Sequence, residues 1–168
     1  MKLIWKILLG ILGIILIGLL IPQNLKMPVQ GANSSSYNHN TFWHEGWSAG
    51  VHRGVDVFTQ KGTPIHSATI GIVLATGDGK KSGKCILILG PKWRLHYYAH
   101  LDQITTSPFA LVGHNTPIGT VGKTGNAANT PPHLHYSIFT PIPYPWRMDQ
   151  SPHGYQKMFY LNPIDYLE

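Results

Sequence analysis

Acidic side chains are scarce in this sequence, with seven Asp and Glu among 168 residues. Charged residues of both signs make up only 12%, against about 25% in an ordinary globular chain. Hydrophobic residues at 43% and aromatics at 11% are enough for a packed core, and the length leaves room for one ordinary domain and little else. One cysteine, Cys85, excludes an internal disulfide and leaves the redox compartment open. It stands in Cys85-Ile86-Leu87-Ile88-Leu89, which reads as a buried strand, so a nucleophilic role is not expected. Outside the N-terminus no segment keeps an apolar period of 3.6, which excludes long amphipathic helices. Eighteen glycines and 13 prolines point instead to many turns. A mainly β, strand-rich domain follows.

The scarcity of acid leaves a net charge of +6. Lys2, Lys6 and Lys26 flank the N-terminal apolar segment. From residue 28 onward ten cations face seven acids, and half of those ten lie between Lys80 and Arg94. Such a stretch suits a polyanion or is a solvated hairpin face. No RNA-binding or helix-turn-helix signature is present, so nucleic acid is not an expected partner.

The one long hydrophobic run is at the start. Ile7–Ile21 holds fifteen residues without a charge, behind Lys2 and Lys6. Counted from Leu3, with Lys6 snorkelling to the head groups, nineteen residues are available, close to the ~20 that span a bilayer. No small-x-small cleavage site follows convincingly. Residues 1–21 therefore read as a signal or signal-anchor helix, retained in the membrane with the remainder outside the cytoplasm. The alternative is cleavage and release. Residues 22–41 are polar and turn-rich and read as a linker. Residues 42–168 form the domain, and a monomer is expected. Strands are expected at Gly54–Phe58, Ile70–Thr76, Cys85–Leu89, Arg94–Leu101, Pro117–Val121 and His133–Phe139. The tail 141–168 reads as a wrap.

Histidine is plentiful, with ten copies, and five residues form a constellation. His52 and Asp56 are four apart, and His133 and His135 two apart, both even spacings that share a face of an extended strand. His100 ends a strand in which His96, Tyr98 and His100 would share a face. A zinc enzyme needs three protein ligands and an open position for water. Two imidazoles and a carboxylate supply the first, and two further imidazoles can move protons or steady an oxyanion. His39, His44, His66, His96, His114 and His153 are read as surface or core histidines, with His44 and His96 the first reserves.

In order, the chain carries His52-Arg53-Gly54-Val55-Asp56, Gly62-Thr63-Pro64-Ile65, Tyr98-Ala99-His100-Leu101, Gly119-Thr120-Val121-Gly122-Lys123-Thr124-Gly125 and Pro132-His133-Leu134-His135-Tyr136. Together these resemble the lysostaphin/LytM-type (M23) metallopeptidases over roughly residues 50–140. The resemblance implies an antiparallel β-sheet with loops walling a narrow groove. It implies one zinc on His52, Asp56 and His135, with His100 and His133 as the catalytic histidines. It implies peptidoglycan peptides as substrates, cut by zinc-dependent hydrolysis at the cell envelope. The short stretch before the domain departs from relatives with an inhibitory pro-segment, which is not expected here. The insert Pro141–Met158 is unusual and is expected to wall one end of the groove. Three rivals stand beside this reading. A non-catalytic relative that activates another hydrolase would lose zinc ligands. An iron oxygenase would leave two histidines idle. A wall-binding module would rely on Tyr97, Tyr98 and Tyr136.

Overall fold

The structure is a computed structural model that describes residues 2–47 and 50–167. Met1, Ser48, Ala49 and Glu168 lie outside the described residues, and with them the outermost residues of the expected segments 1–21 and 42–168. Among the described residues there is one α-helix, α1 (Lys2–Leu20), formed by the N-terminal apolar run. Eleven strands follow in chain order: β1 (Glu45–Trp47), β2 (Gly50–Val51), β3 (Val55–Phe58), β4 (Pro64–His66), β5 (Gly71–Gly79), β6 (Gly83–Leu89), β7 (Leu95–Ile104), β8 (Leu111–Val112), β9 (Pro117–Val121), β10 (His133–Phe139) and β11 (Tyr160–Leu161). Strands β9 and β10 have the bounds expected from the sequence. The hairpin strands β5 and β6 run further into the Gly77–Gly83 stretch than expected, leaving a turn at residues 80–82.

Nine strands build one curled antiparallel sheet, in the order β11-β10-β7-β6-β5-β8. Strand β3 pairs with β10, β9 pairs with the end of β7, and β4 pairs with β9. The hairpin β1-β2 stands apart. Strict alternation sorts β10 between the two faces. Leu134, Tyr136 and Ile138 are fully buried in the core, while His133 and His135 face the other way. Tyr98 of β7 and Ile86 and Ile88 of β6 fill the same core. Cys85 has the opposite parity and is only half-buried, so the expected buried strand has one core face rather than two.

Residues 22–41 do more than tether. Leu25 and Val29 are buried in the core, and the backbone pairs with its neighbours through Lys26 N to Ala68 O and His66 N to Pro28 O. Leu25, Met27 and Val29 alternate with polar residues, the period of an edge strand, inside a stretch whose composition reads as linker. At the far end, Leu25 bridges to Leu167. Arg94, at the start of β7, joins both terminal segments to the sheet. Its guanidinium donates to Gln23 and lies 5.1 Å from the Tyr166 ring centroid and 5.9 Å from that of Tyr144. The cations of the Lys80–Arg94 stretch thus point to separate tasks. Arg94 is buried, and Lys84 donates to the Asp102 carbonyl.

Candidate metal centre

Asp56 and His135 are directly opposed across the β3–β10 pair, with His133 opposite Phe58 two rungs away. Cross-strand partners on one face are the closest side chains a sheet can offer. His135 Nδ1 and Asp56 Oδ1 are 2.7 Å apart. His52 joins them differently. Four extended residues would hold His52 and Asp56 roughly 13 Å apart, yet His52 Nε2 lies 3.1 Å from Asp56 Oδ1 and 3.1 Å from His135 Nδ1. The chain leaves β2 before His52 and bends through Gly54 before β3 begins. A Cβ on Gly54 would sit 2.5 Å from Tyr136 O and 2.8 Å from a ring carbon of His135. The even spacing therefore selected the right pair, but a bend against β10, and not a shared strand face, brings the two side chains together.

His100 corrects the parity expected for β7. Between the pairs Tyr98–Ile86 and Leu101–Lys84, β7 spends three steps against two on β6, so a bulge falls at Ala99–His100. His100 has φ +66, the left-handed conformation that closes such bulges. His96 and Tyr98 stay on the core side, where His96 Nδ1 lies 2.7 Å from Tyr136 Oη, and His100 is turned to the opposite face. The loop behind the bulge has to be glycine. A Cβ on Gly122 would come within 2.3 Å of Asp102 N and 2.7 Å of His100 O.

The result is a groove of about 400 Å³ whose lining includes His52, Asp56, His100, His133 and His135. Ring centroids of His100 and His133 are 5.1 Å apart, and those of His100 and His135 are 6.0 Å apart. Tyr97, Lys81 and Arg53 also border it. Tyr98 and Tyr136, on which the rival wall-binding reading would rely, are core residues. The insert Pro141–Met158 contributes nothing to this lining. Its Gln156 meets a groove residue, accepting at Oε1 from Arg53 Nε.

Backbone carbonyls orient three of the four histidines. His52 Nδ1 donates to Thr41 O at 3.2 Å, His100 Nδ1 to Thr124 O at 3.0 Å, and His133 Nδ1 to Pro131 O at 2.8 Å. Each bond leaves the lone pair on Nε2. In His135 the assignment is reversed, with Nε2 2.9 Å from Ser137 Oγ and Nδ1 toward Asp56. Sequence reasoning did not single out Thr41, Thr124, Pro131 or Ser137. Only Ser137 left a signal there, since it continues the alternation of His133 and His135.

Burial works to raise the pKa of the Asp56 carboxyl, yet the His135 and His52 rings beside it hold it well below the usual carboxylate range. Burial pushes His100 down to about 4, reinforced by the charges His133 and His135 can carry. His100 is therefore a neutral imidazole at pH 7, able to accept a proton. His52 Nε2, Asp56 Oδ1 and His135 Nδ1 converge at 2.7–3.1 Å, and they are the only group of three potential metal ligands found among the described residues. Neutral imidazole nitrogens and a carboxylate all present lone pairs, so a cation between them relieves their mutual approach. Tetrahedral zinc with bonds near 2.0–2.1 Å spaces its ligands by roughly 3.3 Å. The donor set and spacing fit that ion, and the orienting hydrogen bonds on the far ring nitrogens are those that metal-ligating histidines make.

The model of peptidase family M23 matches residues 50–144, more than half of the chain. An L-Ala--D-Glu endopeptidase of Bacillus subtilis is 29% identical over 130 residues, 71% of this chain and 40% of that protein. Peptidoglycan DD-endopeptidase ShyA of Vibrio cholerae is 31% identical over 87 residues, 52% of this chain and 20% of that protein. The chain thus spans less than half the length of either relative. Among solved structures, a zinc-containing peptidase from Vibrio cholerae superposes with a TM-score of 0.58 at 26% identity, covering 70% of this chain and 36% of that one.

Proposed function

The chain belongs to peptidase family M23, and from that membership we propose that it is a zinc-dependent endopeptidase that cuts peptide cross-links or bridges of bacterial peptidoglycan. The observation that carries the reading is the convergence of His52, Asp56 and His135 on one point at the foot of a groove that His100 and His133 also line. The named activities of the two relatives, both endopeptidases, support the same substrate class.

His52 Nε2, Asp56 Oδ1 and His135 Nδ1 would hold the zinc, with Thr41 O and Ser137 Oγ fixing the two rings. When bound, the ion supplies Lewis acidity that polarises a scissile carbonyl and acidifies a water molecule. The other steps belong to side chains. His100 and His133 carry their lone pairs on Nε2 because their Nδ1 protons are committed to backbone carbonyls. One of them takes the proton of the attacking water and returns it to the leaving amine. The other, when protonated, donates a hydrogen bond to the developing oxyanion. Burial keeps His100 deprotonated at neutral pH, the form in which a proton acceptor must start. Helix α1 spans 19 residues, about 28 Å at 1.5 Å per residue, close to the hydrocarbon thickness of a bilayer. It is read as the anchor that leaves the groove on the outer side of the membrane.

Zinc content, together with mass analysis of digested peptidoglycan of several cross-link chemistries, tests the proposal. Stoichiometric zinc and new peptide termini are expected. A chain that binds zinc and cleaves no cross-link would support the activator reading instead.

A further inference from the structure

The N-terminal helix is not only a lead-in to the domain; the domain packs against its flank. Trp93 Nε1 donates to the carbonyl of Ile15 at 2.9 Å. Ile15 lies six residues before Ile21, about 9 Å along a helix axis. Trp93 therefore sits beside the apolar length of α1 and not beyond its end. Between helix and sheet opens a cleft of about 480 Å³ lined by Gly18 and Ile21 from the helix side and by Ile70, Ile72, Trp93 and Leu111 from the domain. Among the described residues, no charged side chain lines it.

The apolar surface continues outward from this cleft. Strand β5 places Val73 in the core and leaves Ile70, just ahead of the strand, 48% exposed and Leu74, at its bulge, 38% exposed. On the adjoining chain Leu111 is 83% exposed and Phe109 77% exposed. The two pieces are held together by the pairing of Leu111 with Ile72 and by the hydrogen bond from Phe109 N to Val73 O. None of these residues lines the catalytic groove. Large apolar side chains clustered at such exposure mark a surface that something covers.

We propose that this surface, Ile70, Leu74, Phe109 and Leu111 together with Trp93, is a membrane-docking face that seats the domain on the lipid bilayer beside its own anchor. The proposal rests on the reading of α1 as a membrane anchor. Continuity identifies the occupant. The cleft is shared with a helix that is apolar on every side and only 6% buried over its most hydrophobic window. Whatever hydrocarbon surrounds that helix at the level of Ile15 also meets Trp93 and the residues around it. A tryptophan with an apolar body and a hydrogen-bonded N–H is the side chain expected at that depth. The anchor alone would leave the domain free to swing on residue 21. A second contact fixes its orientation and holds the groove at one height above the membrane.

Nitroxide labels on the full chain test this. In a Cys85→Ala background, single cysteines replace Leu12, Phe109, Leu111 or Tyr155, and each chain is reconstituted into vesicles of phosphatidylethanolamine and phosphatidylglycerol. Collision with dissolved oxygen reports lipid, and collision with a water-soluble nickel chelate reports solvent. The oxygen-to-nickel ratio at Phe109 and Leu111 is expected to exceed that at Tyr155 several-fold and to approach that at Leu12. If Leu12 reports lipid while Phe109 and Leu111 match Tyr155, the docking face is refuted and the anchor stands. If Leu12 itself reports water, the anchor reading fails and the docking proposal falls with it. The labelled positions are exposed, so the substitutions do not disturb the core.

Discussion

Strands β10 and β7 both deliver histidines to the same groove, and they do it by opposite means. Strand β10 keeps the two-residue alternation, so that His133 and His135 share one face and Leu134 and Tyr136 share the other. Strand β7 interrupts it. His96 and Tyr98 obey the alternation and enter the core, and the bulge then turns His100 to the groove with φ +66. Regular pairing suits the ligand role proposed for His135, whose position is set rung by rung against Asp56. A bulge suits His100, because the extra residue re-aims that side chain to the groove and returns Leu101 to the core.

The sharpest way to break the comparison is at its regular side. His135→Ala or Asp56→Ala removes one of three ligands and is expected to abolish both zinc retention and peptidoglycan cleavage, read by elemental analysis and product mass. A variant with full zinc occupancy would overturn the ligand assignment. Next come the two residues proposed to handle protons. His100→Ala and His133→Ala are expected to lower cleavage about 10²–10⁴-fold while zinc content stays near that of the parent. Loss of zinc in either would make that residue a ligand.

The bulge itself can be tested without touching a histidine. Gly122→Ala forces a Cβ into the backbone of His100 and Asp102. A displacement near 1 Å at a catalytic group costs on the order of 10²-fold, so cleavage should fall by about that factor with zinc retained. Unchanged turnover would show that the bulge does not set the aim of His100. On the β10 side, Ser137→Ala removes the hydrogen bond to His135 Nε2. Losing such an orienting partner typically lowers metal affinity about 10–100-fold, measurable by competition with a chelating dye.

The smallest effect concerns the other histidine of β7. Burial, with Arg94 nearby, pushes His96 down to about 3 from an ordinary value of 6.5. The folded protein therefore resists a proton that the unfolded chain accepts. Stability from this residue is complete above pH 6.5 and is lost as pH falls toward about 3. Between pH 6.5 and about 5 the loss should approach about 2 kcal/mol at 1.36 kcal/mol per pH unit. Urea unfolding of metal-free protein across that range, with His96→Gln as reference, is expected to show a flatter profile in the variant. Parallel profiles would place the acid sensitivity elsewhere.

These particulars divide what was legible from what was not. Five residues of the groove, His52, Asp56, His100, His133 and His135, were identifiable in the sequence, because ligand chemistry restricts residue types and because alternation along a strand is a local property. The bounds of β9 and β10 were legible for the same reason, and so was the helix of the N-terminal apolar run. The bend through Gly54, the bulge before Leu101 and the burial of Leu25 and Val29 were not. Each is decided by a partner distant in sequence: Tyr136 and His135 against Gly54, Lys84 and Gly122 against His100, Leu167 against Leu25 and Ile65 against Val29. A two-residue period shows which face a side chain prefers only while the strand stays regular. Whether it stays regular depends on the neighbour it pairs with, and that neighbour is supplied by the folded sheet.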